Sequence, residues 1–156
     1  METQVVKRAA ADGSLELISH EGKFSFRRLG PGALLVTITG NDKGQYGTAA
    51  LDEIRLEIMR HGPLELLINA ELAVLVTPDV SQEWTRFFTE SRTQLKRVSI
   101  LTGSKLINLT VAIAQHLSYT GSLIQIYSDR DLFFNALAQS NAQVAIRRAQ
   151  NPGSLS

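Results

Sequence analysis

The sequence predicts a single α/β domain: a mixed β-sheet that opens with an N-terminal β-hairpin and continues as alternating parallel strands and helices. Three observations predict it. Two strand-like runs, Lys23–Arg27 and Ala33–Thr39, flank the turn signal Gly30-Pro31-Gly32. After Gly40 the hydrophobic period becomes helical and then alternates with short apolar runs. Strands that alternate with helices pair in parallel through right-handed crossovers.

Each element follows from local pattern. Residues 1–13 are small and polar and are expected to be loose; the domain is expected over 14–140. Leu15–Ile18 is a short strand candidate. Gly40–Gly44 breaks the second hairpin strand. A helix is expected over Tyr46–His61, with Leu51, Ile54 and Ile58 inward and Asp52, Glu53, Arg55 and Glu57 on the other faces. Gly62-Pro63 stops it. Leu64–Asn69 reads as a buried strand, and Pro78–Lys96 as a helix with the inner stripe Trp84, Phe87, Phe88, Ser91 and Leu95. Arg97–Thr102 is the next strand. A largely apolar helix follows over Lys105–Tyr119, then the strand Leu123–Tyr127. Ser128-Asp129 caps a last helix through Gln139, and residues 141–156 form an extension that is partly disordered. The helices are expected mainly on one side of the sheet.

Composition narrows the function classes. Sixteen Lys+Arg face 15 Asp+Glu, so no global charge draws the chain to nucleic acid or an anionic membrane. The dibasic pairs Lys96-Arg97 and Arg147-Arg148 lack the interleaved aromatics of a nucleic-acid stripe. With no cysteine, thiolate metal sites, disulfides and Cys nucleophiles are excluded. No signal-peptide core and no membrane-span-length apolar run is present, so a cytoplasmic location is the default expectation.

The element order resembles that of the STAS domain, the SpoIIAA-like or anti-sigma-factor-antagonist fold, in a divergent STAS/Sec14-like branch. Three stretches carry the resemblance: LLINAELAVLVTPDVSQEWTRFF, RVSILTGSKLINLTVAIAQHL and LIQIYSDRDLFFNAL. It spans roughly residues 23 to 140 and rests on order and hydrophobic pattern. In that family an Asp-Ser-Ser/Thr-Gly motif opens the central helix, and its hydroxyl is phosphorylated by a partner kinase. Here the matching stretch is Thr77-Pro78-Asp79-Val80-Ser81, and the motif is missing. The resemblance implies a non-enzymatic regulatory module that binds a protein partner, or a second copy as a homodimer, through about Leu75–Arg86.

The same stretch also reads as a plain helix start. Thr77 is a candidate N-cap, Pro78 suits the first helical position and Asp79 complements the helix dipole. Asp79 with Gln82 offers an alternative capping box. Phosphate on Thr77 or Ser81 suits a helix N-terminus, and Asp79 would mimic it permanently. Trp84, Phe87 and Phe88 are core anchors, or the wall of a cavity for a small apolar ligand, or an interface. Phe87 is offset from the Trp84/Phe88 face, so one ring is expected outside the core stripe.

Other motifs point nowhere specific. Gly103-Ser104-Lys105 lacks the rest of a phosphate loop. His20, His61 and His116 have no metal-ligand spacing, so no metal or cofactor is expected. Neither a Gly-x-Ser-x-Gly elbow nor an acid/base pair stands out, so no catalytic residue is assigned. Glu71 is the acid best placed near a cleft, although a strand tip in solvent is its simpler reading. Asp129 and Asp131 are helix-start charges.

Overall fold

The computed structural model describes residues 5–103 and 123–139. Its strands form one seven-stranded sheet and lie in sequence order across it. They are β1 (Val6–Ala9), β2 (Leu15–Ile18), β3 (Gly22–Gly30), β4 (Ala33–Asp42), β5 (Leu64–Val76), β6 (Leu95–Thr102) and β7 (Ile124–Tyr127). The described helices are α1 (Ala49–His61), α2 (Pro78–Glu90) and α3 (residues 130–139). β1 to β4 form an antiparallel meander, and β4 to β7 pair in parallel. The predicted α/β mixed sheet, its hairpin and its alternating parallel part are therefore present. The helix expected over Lys105–Tyr119, with His116, and the tail from residue 140 lie outside the described residues. No helix among the described residues is long and apolar enough to cross a membrane.

Parallel strands added in sequence order, through crossovers of one hand, set successive helices on the same face. α1 and α2 accordingly share one core. Phe24, Phe26, Leu34, Val36, Leu66, Ile68, Val98 and Ile100 point into it from the sheet. Ala50, Leu51 and Ile54 enter from α1, and Phe87 and Phe88 from α2. Each fully buried Leu or Phe stabilises the fold by ~1.5–3 kcal/mol. Because side chains alternate along a strand, Leu67 and Leu101 point the other way and meet Phe133 of α3. α3 thus lies on the face opposite α1 and α2.

Several boundaries differ from the sequence expectation. The 1–13 stretch is not wholly loose, because β1 pairs with β2 from Val6 to Ala9. All four of its residues are exposed, so no apolar alternation marks it. Its charges are tied down instead: Lys7 to Glu53 at 2.7 Å and Arg8 to Glu16 at 2.8 Å. α1 starts at Ala49, because Gly44 and Gly47 take positive φ in the preceding loop. β5 runs on to Val76 and is irregular where it passes Glu71 and Val74. Glu71 therefore lies within the strand and pairs with Arg130 at 2.9 Å. α2 stops at Glu90, and Leu95 begins β6 rather than ending the helix stripe.

Glu57 is the clearest reversal. It was expected on an outer face of α1 but is 4% exposed. Three residues on from Ile54, it lies on the inward stripe. Arg28 and Arg60 reach its carboxylate and offset the cost of burying it.

Candidate functional site

β4 and β5 end side by side, with Asp42 opposite Val76. Two loops leave there, 43–48 toward α1 and Thr77 into α2. The Thr77 N–H donates to the Asp42 carbonyl at 3.1 Å and joins the two exits. Gly40 shapes the approach. It takes φ 77°, and a Cβ there would overlap the Glu21 carbonyl.

The first loop is held by side chains. Asp42 is buried, and its Oδ1 accepts from the Gly44 N–H at 3.0 Å. Burial pushes its carboxyl above the usual range, and the charge of Glu83 adds to the rise; the Gly44 bond opposes it. Gln45 Nε2 donates to the Asn41 carbonyl at 2.7 Å. The Tyr46 hydroxyl lies 3.1 Å from Ser19 Oγ, and its ring meets Phe24 edge-on at 4.7 Å. Burial, with a smaller push from Asp42, raises the Tyr46 hydroxyl above its ordinary value. Lys43 pairs with Glu21 at 2.9 Å.

The second exit is built differently. Thr77 sits at the N-cap of α2 with extended backbone (φ −70°, ψ 158°), and Pro78 takes the first turn. The positions are those expected, but the Thr77 hydroxyl makes no cap hydrogen bond. The Asp79/Gln82 capping box does not form either, since Asp79 is already inside the helix. The Ser81 N–H donates to the Thr77 carbonyl at 3.0 Å, an ordinary helical bond. Thr77 and Ser81 are half-buried; Pro78, Asp79, Gln82, Glu83 and Arg86 are exposed. No described residue pairs with the Asp79 carboxylate.

The aromatic residues anchor this helix. Phe87 is 0% exposed and Phe88 3%, whereas Trp84 is half-buried. The ring reaching the surface is therefore Trp84, and the offset Phe87 is the deepest. Trp84 stacks on Phe24 at 6.4 Å and 10°. Arg55 of α1 lies over Phe87 at 5.4 Å, a cation–π contact between the two helices. These rings pack on one another and on Phe24; the helix expected over 105–119, the other wall of the cavity expected for an apolar ligand, lies outside the described residues.

Thr77, Pro78, Asp79 and Ser81 thus converge with Asp42, Tyr46, Ser19 and Glu83, which the sequence reading did not select. Gly40–Gly44 reads as a simple break in pattern. The signal for Asp42 is topological, since it closes a strand whose parallel neighbour leads into α2. Ligand crevices in open α/β sheets form where neighbouring crossover helices lie on opposite faces. Here α1 and α2 share a face, so the ends of β4 and β5 are not such a switch point. Among the described residues no group of three or more His, Cys, Asp or Glu could hold a metal ion.

No family model matches the chain, and no curated protein matches it. Among solved structures it is similar to an uncharacterized protein of the DUF3478 family with a SpoIIAA-like fold, from Shewanella loihica. The two are 13% identical over 86% of this chain and 93% of that one, with a TM-score of 0.47.

Proposed function

We propose that the protein is a non-enzymatic regulatory module that binds a protein partner through the first turn of α2 and the adjoining 43–48 loop. One observation carries this reading: α2 starts with the Thr77 hydroxyl and the Asp79 carboxylate uncommitted to the helix itself. Asp79 and Glu83 are exposed one helical turn apart, above the buried Asp42. That patch favours a partner presenting basic side chains, and rim charges of this kind act mainly on association rate and salt dependence. In the family the sequence resembles, this position carries a reversible phosphate; here Asp79 supplies a fixed negative charge. The shared face of α1 and α2, which makes the two exits no topological switch point, supports a protein partner over a small molecule.

The test is affinity capture from the native host with wild-type bait beside Asp79→Ser and Glu83→Gln baits. The expected result is a partner held by wild type, weakened by both substitutions and released by moderate salt. A partner retained equally by all three baits would remove this surface. A second copy as the partner would register as a concentration-dependent mass in sedimentation, lost in the Asp79→Ser protein.

A further inference from the structure

A cleft of about 420 Å³ lies at the other end of α1, between that helix, β3 and the β1–β2 connection. Its volume falls in the range of small-molecule sites, ~300–1,000 Å³. Glu53, Leu56, Glu57 and Arg60 line it from one stripe of α1, with Lys7 and Arg28 from the strands. Leu15, Phe26 and Leu34 give it an apolar floor.

The polar groups are placed. Glu57 is buried, and its Oε1 accepts from both Arg28 Nε at 2.5 Å and Arg60 Nη1 at 3.4 Å. Glu57 Oε2 is buried without a hydrogen-bond partner, and His61 Nε2 lies 3.7 Å from it. An unbonded buried carboxylate oxygen is costly, which marks Glu57 as a positioned group rather than a solvated charge. Both guanidiniums share one oxygen, and neither makes another described hydrogen bond, so most of their N–H donors stay open. Both side chains are about half exposed at the cleft wall.

Charge decides the ligand class. Four cations, Lys7, Arg27, Arg28 and Arg60, line the cleft against three carboxylates, Asp12, Glu53 and Glu57, and Lys7 is already paired with Glu53. At the rim, Asp12 is turned onto the Ser14 N–H and hydroxyl, and Arg27 acts on it electrostatically. One positive charge is left unanswered. A carboxylate matches that surplus, whereas a phosphate brings about −1.5 to −2 at neutral pH. Open guanidinium forks suit a planar carboxylate.

We propose that this cleft binds a small organic monocarboxylate, its carboxylate between Arg28 and Arg60 and its apolar body against Leu15 and Leu56. Glu57 is a positioning residue that aims the two arginines. The site is separate from the α2 surface and does not depend on the partner reading.

The full chain is titrated with sodium octanoate while Leu methyl and Arg side-chain NMR signals are followed, beside 1-octanol and inorganic phosphate. Octanoate is expected to shift Leu15, Leu56, Arg28 and Arg60 saturably. Arg28→Gln and Arg60→Gln each weaken it by about tenfold, the loss of one charge-assisted pair. Arg86→Gln, on α2, leaves it unchanged. Absence of saturable shifts in the folded protein overturns the proposal, as does octanol binding equally well. Equal displacement by inorganic phosphate overturns the carboxylate assignment. Glu57→Gln is expected to weaken octanoate and broaden the Arg28 and Arg60 signals. If that variant does not fold, the two exposed arginine variants still decide the outcome.

Discussion

The starts of α2 and α3 make an instructive pair. At α3, Asp129 Oδ1 accepts from the backbone N–H groups of Asp131 at 2.8 Å and Leu132 at 3.3 Å. Its side chain satisfies donors that the helix cannot satisfy itself. At α2, Thr77 stands at the N-cap and makes no such bond. Proline at the first position removes one free donor there. The rest of α2 is held by burial of Val80, Phe87 and Phe88. One helix start is closed on itself and the other is left open, which is what a docking surface needs.

Four measurements bear on that contrast, in decreasing order of expected effect. Phe87→Ala should cost ~3–5 kcal/mol in urea denaturation, because the deepest ring of α2 is lost. A cost near 1 kcal/mol would mean that α2 is not held by this core. Asp129→Ala should cost ~1 kcal/mol, the value of a working cap, and should speed amide exchange at Asp131 and Leu132. Asp42→Asn probes the joint between the two exits. The folded carboxyl is raised above its unfolded value of 3.8, so the folded state binds the proton more tightly in that window. The contribution of Asp42 to stability then falls as pH rises from the unfolded value through the folded one, and stays lower above it. Asp42→Asn, which keeps an acceptor for Gly44, should lose this dependence and be relatively favoured at neutral pH. A parallel pH profile for both proteins would contradict the burial assigned to Asp42. Thr77→Ala should be the smallest change, below ~0.5 kcal/mol, because no cap bond is lost. A full capping cost would show that the hydroxyl is committed to the helix after all.

Much of the fold was legible because its signals are local. Gly30-Pro31-Gly32 marks the hairpin, Gly62 the end of α1, and Asp129 the start of α3. β1 was not legible, since VKRA has no buried face and owes its place to β2 and to ion pairs far along the chain. The burial of Glu57 is hidden in the sequence for a related reason. A glutamate within an amphipathic helix reads as solvated until Arg28, 29 residues earlier, is seen to reach it. At the candidate site, Thr77-Pro78-Asp79 announces a helix start from its residue types alone. Asp42, Tyr46 and Ser19 do not announce themselves, because their environment is created by strand pairing. Trp84 and Phe87 exchanged roles for a geometric reason: both lie near the inward line, and the indole is too large to be covered completely.

The strictly sequential order of the sheet has a consequence for how the chain acquires its structure. Among the described strands, none must be inserted later between two that are already paired. Each can dock on the edge left by its predecessor, so the meander of β1 to β4 can form from nearby segments before the crossovers close. Short-range closure carries a small entropic cost and favours fast folding. A ribosome delivering the chain from its N-terminus therefore presents the strands in the order in which the sheet can grow.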